Sequence, residues 1–403
     1  MNILLAHQNF PGQFRGLAPA LRQAGHTLRA VSTRKEAALA GVPNAPYQPA
    51  RGNSPQLHPW LLNTESAVIR GQACAAKVEA IVREGWTPDL VLGHTGWGEM
   101  LFMRQVLPGA RLIGFNELYY QASGGDVGFN PEFPAEPGAA QRLQVRNLHL
   151  SGSLMACDAA VTPTQWQASC FPPLLRERMQ VIHDGIDTAR LVPDAAARSQ
   201  LGQAGVRLQA GDEVITFVNR NLEPMRGYHQ FMRALPEILH RRPQARVVIV
   251  GGDEVSYGKA PEGQRGFKEV YLQEVKDRID LSRVHFVGRV PYDTLVTLLR
   301  VAAVHVYLTV PFVLSWSMLE AMSLGALVVG SATAPVQEVI EHGRNGLLVD
   351  FFNPSELAHT VCDVLAQPGA YTALRARARQ DIVDRYDFRR VSLPAYMRLI
   401  EGV

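Results

Sequence analysis

The residues with the clearest capacity for chemistry lie in the segment 304–349. A short apolar run is followed by Ser315 and Ser317, and then by apolar residues at helical spacing up to Gly325. This pattern predicts a buried strand, a loop and a helix capped by the serines. Free N–H groups at the start of such a helix bind anions, and Glu320 on its next turn carries a carboxylate suited to two sugar hydroxyls. The segment therefore predicts a site for a phosphate beside a ribose.

Two arginines flank the loop after another predicted strand. The apolar run 214–218 predicts that strand, and Arg220 and Arg226 stand between it and a helix that begins at Tyr228. Guanidinium groups are planar donors that match phosphate oxygens, so this pair also indicates an anion site. Two solvated surface arginines are the alternative interpretation.

The first half of the chain opens with a strand, a helix and a second strand over residues 2–32, which predicts a parallel sheet. In the loop after the first strand, Gly12 would let a ligand approach the backbone. His94 follows the predicted strand 89–93 and would point into the same crevice at the carboxyl ends of the strands. A plain turn glycine and a structural histidine are the alternatives.

The composition indicates a globular protein of two domains. A chain of 403 residues is longer than one hydrophobic core usually supports, which predicts two domains. The content of 47% hydrophobic and 19% charged residues argues against disorder. The net charge of +3 is mildly basic, which suits anionic substrates or an anionic membrane surface. Because the sequence has no Lys/Arg run, it argues against a nucleic-acid-binding protein. Four scattered cysteines predict core residues in a reducing compartment. With no signal peptide and no membrane-spanning stretch in the sequence, we expect a cytoplasmic protein.

The segment around Glu320 resembles the donor-site segment of family-four glycosyltransferases, which have the GT-B fold. That family carries two glutamates with seven residues between them, and Glu320 matches the second, whereas Phe312 stands in place of the first. The family's Gly-Phe-Gly run is replaced by residues 313–315. The matching residues are Leu319, Glu320, Ala321, Met322, Gly325, Val328, Val329, Glu338 and the turn 343–346.

The resemblance implies two doubly wound, Rossmann-like α/β domains facing across a cleft. Residues 1–190, with a returning C-terminal helix at 388–403, would form the acceptor-side domain. Residues 208–387 would form the domain that binds the nucleotide-sugar donor. The polar, alanine-rich stretch 187–212 is the best boundary in the composition.

The resemblance also implies individual roles. His94 would lie near the donor sugar, Arg220 and Arg226 would hold the donor diphosphate, and Glu320 would contact the ribose. Arg226 takes the place of the family's more usual lysine. The other donor-binding residues that the resemblance implies are Gly12, Arg289, Phe312, Leu314, Ser315 and Trp316.

The implied function is retaining transfer of a sugar from a nucleoside-diphosphate sugar, UDP- or GDP-linked, to a saccharide, lipid-linked or other hydroxyl acceptor. The irregular stretch 118–138 is the candidate for acceptor recognition. Because the sequence has no Asp-x-Asp pair, we expect no metal and no cofactor. A nucleotide-sugar epimerase of the same fold and a catalytically idle nucleotide-sugar-binding protein are the alternatives. Peripheral membrane contact and oligomeric state stay open.

Overall fold

The computed structural model describes residues 1–36, 39–202, 205–256, 260–261, 263 and 266–402. The chain divides into two compact units. The first contains Met1–Gly185 and the C-terminal segment that begins at Phe388, and the second contains Ile186–Asp387. Each unit is built around its own parallel sheet. The predicted pair of Rossmann-like α/β domains is therefore confirmed.

The sheet of the first unit has the strand order β3-β2-β1-β4-β5-β6-β7. Its strands are β1 (Asn2–Ala6), β2 (Thr27–Ser32), β3 (Asn44–Pro46), β4 (Leu90–His94), β5 (Arg111–Phe115), β6 (Ala159–Thr162) and β7 (Met179–Val181). The helices that connect them are α1 (Leu17–Gln23), α2 (Leu62–Arg83), α3 (Met103–Val106), α4 (Ala139–Arg146), α5 (Leu148–Met155), α6 (Gln165–Ser169) and α7 (Pro173–Arg176).

Both faces of this sheet are covered, which explains why its strands are apolar at consecutive positions rather than at alternate ones. Ile3 and Leu5 of β1 pack in the same cluster as residues of α1. Leu4, between them, points to the opposite face and packs in a second cluster with Val78 and Ile81 of α2. Successive side chains of a strand point to opposite faces, so one short strand contributes to two cores.

The sheet of the second unit has the strand order β12-β11-β10-β13-β14-β15. Its strands are β10 (Val214–Asn221), β11 (Arg246–Gly252), β12 (Val284–Gly288), β13 (Val304–Tyr307), β14 (Leu327–Ser331) and β15 (Leu347–Val349), preceded by an antiparallel hairpin of β8 (Arg198–Leu201) and β9 (Val206–Gln209). Its helices are α8 (Tyr228–Arg241), α9 (Phe267–Val275), α10 (Tyr292–Val301), α11 (Trp316–Ser323), α12 (Ala334–Gln337), α13 (Pro354–Ala366) and α14 (Thr372–Tyr386). The last helix, α15 (Leu393–Glu401), packs in the core of the first unit.

Each sheet reverses its winding direction once. In the first unit the chain runs from β1 outward to β3 and then places β4 on the other side of β1. In the second unit it runs from β10 to β12 and then places β13 on the other side of β10. The loops that leave two neighbouring strands at such a point diverge, so the carboxyl edge opens there and ligands bind in the opening. The fold thus marks one candidate site in each unit.

Several local predictions need correction. The stretch 40–59, whose Pro, Asn and Gly residues are typical of a loop, contains the edge strand β3. The helix predicted between the first two strands is a 3-10 turn, Gly12–Arg15, followed by the short α1. The polar stretch 187–212 contains the hairpin of β8 and β9, whose Leu201 and Leu208 join the core of the second unit. At β3 and at the hairpin, tertiary pairing or packing outweighs a composition that is typical of loops.

The prediction for the cysteines agrees with the structure. The cysteines Cys74, Cys157, Cys170 and Cys362 are buried and free, which confirms them as core residues. No helix in the described parts of the chain is both long and apolar enough to cross a membrane.

Candidate functional site

The loops after β10 and β13, residues 222–227 and 308–315, are in direct contact at the reversal point of the second sheet. The Val310 N–H donates a hydrogen bond to the Met225 carbonyl over 3.0 Å. Gly227 has a φ of +67°, and a Cβ atom there would lie 2.3 Å from the Leu308 Cβ. Glycine is therefore required at 227, both for its backbone conformation and for the close approach of the two loops.

Arg226 joins the same two loops through its side chain. It is 7% exposed, and one of its terminal nitrogens donates to the Thr309 hydroxyl over 2.9 Å and to the Val313 carbonyl over 2.8 Å. Its guanidinium carbon lies 5.2 Å from the centre of the Phe312 ring, which is itself 5% exposed. The structure therefore brings Arg226 and Phe312 together and fixes the guanidinium from two sides.

The start of α11 has the predicted cap. Ser315 is the N-cap residue, and its hydroxyl accepts a hydrogen bond from the Ser317 N–H over 3.4 Å. The Ser315 N–H donates to the Tyr307 hydroxyl over 2.7 Å, which ties the cap to the end of β13. Leu314 is half-buried and Trp316 is 36% exposed. The helix start therefore sits directly after the loop that Arg226 holds.

Glu320 lies one turn into α11 and is only 6% exposed. The Tyr292 hydroxyl, at the start of α10, donates to its Oε1 over 2.7 Å. The guanidinium carbon of Arg190 lies 5.2 Å from the centre of the Tyr292 ring. A carboxylate so deeply buried and oriented by a tyrosine is not the solvated helix acid that an isolated glutamate would suggest.

Arg220 and Arg289 are placed differently from Arg226. Strand β10 continues past an irregularity to Asn221, so Arg220 lies on the strand and not in the loop that its sequence position suggested. It is exposed. Arg289 follows Gly288 directly, donates to Asn221 Oδ1 over 2.9 Å and pairs with Glu254. These two arginines therefore mark the edge of the site near β10, β11 and β12.

The reversal point of the first sheet brings His7, after β1, beside His94 at the end of β4. Their ring centres are 5.4 Å apart. The His94 ring is stacked on Trp97 at 3.9 Å and 10°. Gly12 lies against His7, since a Cβ atom at 12 would be 2.3 Å from His7 Nε2. A side chain at position 12 therefore has no room, because the His7 ring occupies that space.

A short relay of hydrogen bonds connects His7 to Glu117. His7 Nδ1 accepts from the Asn9 N–H over 2.9 Å, so its Nε2 carries the proton and donates to Gln13 Oε1 over 2.6 Å. Gln13 Nε2 donates in turn to Glu117 Oε1 over 3.2 Å. Burial lowers the pKa of His7 to about 3, which keeps the ring neutral near pH 7.

His7, Gln13 and Glu117 were not among the predicted site residues. Glu117 stands two residues after the end of β5, and His7 directly follows β1. The signal that could have found them is their common position at the carboxyl edge of the sheet. Their pairing depends on contacts 104 residues apart in the chain, which no local pattern contains.

Among the described residues, no group of three His, Cys, Asp or Glu side chains is arranged to hold a metal ion.

Two glycosyltransferase family models match the chain. The "Glycosyl transferase family 4 group" matches residues 24–191, and the "Glycosyl transferases group 1" matches residues 212–367. Together they account for most of both units. The chain belongs to the glycosyltransferases, with the family 4 group model over most of its first unit and the group 1 model over most of its second.

Curated relatives match over part of their length. The chain is 28% identical over 214 residues to an uncharacterized glycosyltransferase of Methanocaldococcus jannaschii, which covers 53% of this chain and 51% of the relative. It is 29% identical over 212 residues to the D-inositol 3-phosphate glycosyltransferase of Corynebacterium efficiens, covering 52% of this chain and 46% of the relative. The chain therefore spans about half the length of these relatives.

Solved structures match over the whole chain. Sucrose-phosphate synthase from Thermosynechococcus elongatus is 20% identical with a TM-score of 0.73, and each chain is covered completely. The Anabaena protein HepE in complex with UDP-glucose is 18% identical with a TM-score of 0.70, again with complete coverage of both chains. At these identities the likeness shows the fold, which is the predicted GT-B fold.

Replacing Gly12 by alanine tests the packing of the His7 ring. The new Cβ atom would overlap the ring at 2.3 Å, and the φ of +45° disfavours a side chain, so we expect a loss of about 1–3 kcal/mol in unfolding free energy. Gly25→Ala is the matched control, because Gly25 also has a positive φ, +88°, but has nothing within 4 Å. Denaturant unfolding should show a larger loss for Gly12→Ala, and equal losses would contradict the packing role.

Proposed function

We propose that this protein transfers a sugar from a nucleoside-diphosphate sugar to a hydroxyl acceptor, with retention of the anomeric configuration. The observation that carries the proposal is the arrangement at the reversal point of the second sheet. There, Arg226 holds the loop that leads into the capped start of α11, and Glu320 lies one turn further along. Positive donors followed by a buried carboxylate suit a diphosphate joined to a ribose.

Each group has a proposed part in this arrangement. The N–H groups that follow Ser315 at the start of α11, from Trp316 onward, would bind the diphosphate with Arg226, since the Ser315 N–H itself is taken by the Tyr307 hydroxyl. Arg220 would reach the diphosphate from the end of β10. Glu320 would accept hydrogen bonds from the ribose hydroxyls. Arg289 would lie near the base, since it follows β12 beside the end of β10. The UDP-glucose bound to HepE supports a uridine donor, and GDP is the alternative.

This site would stabilise the negative charge that develops on the leaving diphosphate. Donors that are fixed before the reaction stabilise such charge without further reorganisation. Arg226 meets that requirement because Thr309 and Val313 hold its guanidinium. We propose that these cationic and N–H groups supply the charge without a metal, and that the leaving diphosphate takes the proton of the acceptor hydroxyl.

The acceptor would bind at the first unit, and we propose a saccharide or lipid-linked hydroxyl compound. The stretch 118–138 between β5 and α4 contains no strand or helix and begins at the carboxyl edge of the sheet. His94 and Glu117 stand at the same edge. The relative named D-inositol 3-phosphate glycosyltransferase supports a polyhydroxylated acceptor.

The direct test is a panel of nucleotides followed by product analysis. A nucleoside diphosphate that binds only the folded state at about 100 times its Kd should add about 2.7 kcal/mol to the unfolding free energy, which thermal shift detects. The matching nucleotide sugars are then incubated with and without saccharide and inositol acceptors. Acceptor-dependent release of the diphosphate, with retained configuration by NMR, supports the proposal. A modified sugar without acceptor would indicate an epimerase, and binding without turnover an idle binding protein.

Removal of metal ions tests the source of the positive charge. Since we assign that charge to guanidinium and N–H groups, turnover should persist after exhaustive treatment with EDTA. The measurement is the initial rate before and after chelation, with a Mg²⁺-dependent transferase treated in parallel as a control. Loss of turnover that magnesium or manganese restores would show that a cation takes part.

Replacement of Glu320 by glutamine tests the ribose contact. The change keeps the shape and removes the charge, so affinity for the nucleoside diphosphate should fall by about 1.5 kcal/mol, the lower value for a hydrogen bond to a charged group. Affinity for inorganic pyrophosphate should stay unchanged, because it has no ribose. Asp277→Asn, at an exposed acid of the same unit, is the control for a general loss of negative charge. Equal losses for both ligands in calorimetry would place Glu320 away from the ribose.

A further inference from the structure

Arg146, the last residue of α4, carries a guanidinium group that lies against an aromatic ring and has no acidic partner. The side chain is half-buried, and its guanidinium carbon lies 3.5 Å from the centre of the Tyr120 ring. At this distance the planar group lies flat on the ring, so its N–H donors point outward past the ring edge. Among the described residues, none accepts a hydrogen bond from this guanidinium or forms an ion pair with it.

The residue next to Arg146 holds the aromatic platform in place. Asn147 is 3% exposed, and its Oδ1 accepts a hydrogen bond from the Tyr120 N–H over 3.1 Å. Its Nδ2 donates to the Tyr120 carbonyl over 2.8 Å. The side-chain amide of Gln121 donates to the Cys170 carbonyl over 2.8 Å, which attaches the next residue as well. The position of the guanidinium is therefore set by the protein before any ligand binds.

The cation stands at the carboxyl edge of the first sheet. Tyr120 belongs to the irregular stretch after β5, and His149, one turn after Arg146, donates from Nε2 to the Gly96 carbonyl over 3.1 Å in the loop after β4. Burial lowers the pKa of His149 most, and the charges of Arg146 and Arg70 lower it further. Two guanidinium groups therefore lie near the opening at which we place the acceptor.

One acid lies close to Arg146 without pairing with it. Asp126 is half-buried in the same irregular stretch. Burial raises the pKa of Asp126, and its backbone N–H and the charge of Arg146 oppose that change. In the part of the chain that the structure describes, the two side chains form no ion pair. A carboxylate placed in this way weakens the attraction of Arg146 for a second anion but does not occupy its N–H donors.

We propose that Arg146 binds an anionic group, a phosphate monoester or a carboxylate, on the acceptor. A guanidinium has five donors and no acceptor, so oxygen atoms that only accept match it best. Its planar fork also fits two oxygens of one phosphate or carboxylate group. A hydroxyl matches it less well, because it carries a hydrogen of its own. The identity of the ligand as the acceptor rests on the proposed function, whereas the binding of an anion does not.

The direct test follows two local resonances in ¹H–¹⁵N spectra of the full chain, the Arg146 Nε–H and the Tyr120 backbone N–H. Glucose 6-phosphate and glucuronate are titrated at constant ionic strength, and glucose is the neutral control. At least one anion should shift both resonances in a saturable way, and glucose should not. The anion with the lower dissociation constant distinguishes phosphate from carboxylate. If neither anion gives a saturable shift, Arg146 only packs on Tyr120 and the proposal is overturned.

Two substitutions should change the dissociation constant of that anion in opposite directions, measured through the Tyr120 resonance. Arg146→Gln should raise it about tenfold or more, as expected for a lost hydrogen bond to a charged group. Asp126→Asn should lower it several-fold, because a nearby like charge is removed. Arg176→Gln, at an exposed arginine on α7, is the matched control and should leave it unchanged. Equal dissociation constants in Arg146→Gln and Arg176→Gln would contradict the assignment.

Turnover tests whether the anion belongs to the acceptor. With a nucleotide sugar and the anionic sugar as substrates, Arg146→Gln should raise the KM of the acceptor about tenfold or more and leave the KM of the nucleotide sugar unchanged. An unchanged acceptor KM would overturn this part. If no nucleotide sugar is bound or turned over, the proposed function fails and the acceptor part fails with it. The titration requires neither a nucleotide nor turnover, so it still decides whether Arg146 binds an anion.

Discussion

The second unit depends on one buried guanidinium. Arg226 stands where the winding of the sheet reverses, and its hydrogen bonds to Thr309 and Val313 connect the loop after β10 to the loop after β13. Loops that diverge from a reversal point have few neighbours of their own, so a charged group that bridges them defines their geometry. The same loop leads into Ser315, the cap of α11. Through this connection the position of one arginine sets where the N–H groups of the helix begin.

Both units have an opening where the winding of the sheet reverses, but the side chains at the two openings differ. At the reversal point of the second sheet the fixed group is a cation beside a helix start, which suits an anion. At the reversal point of the first sheet the fixed groups are two imidazoles in edge-to-face contact and a carboxylate, His7, His94 and Glu117, and polar groups of this kind suit hydroxyl groups. The proposed function, with a charged diphosphate on the donor and a neutral hydroxyl on the acceptor, is consistent with this division. The fold supplies two equivalent openings, and their side chains differ in chemistry.

Where the sequence analysis succeeded, the deciding interactions are local. The strands β1 and β5 can be read from the sequence because each is a short apolar run ended by polar residues. The cap at Ser315 and the left-handed Gly325 likewise follow from residues within one helix. Where it failed, distant partners decide. Arg220 lies on a strand because β10 pairs with β11 beyond its irregularity, and the roles of His7 and Gln13 exist only through Glu117, far away in the chain.

Phe312 shows how a departure from the family pattern can be understood from its surroundings. The family has a glutamate at this position, and a carboxylate beside Arg226 would neutralise part of its charge. The Phe312 ring lies at 5.2 Å from that guanidinium, an arrangement that is attractive but leaves the full positive charge in place. Because position 312 is buried, an anionic side chain there would also have to be compensated by Arg226 itself. Under the proposed function, the substitution would exchange a polar contact with a sugar for a stronger cationic group toward the diphosphate, and specificity for sugar hydroxyls would come from other residues.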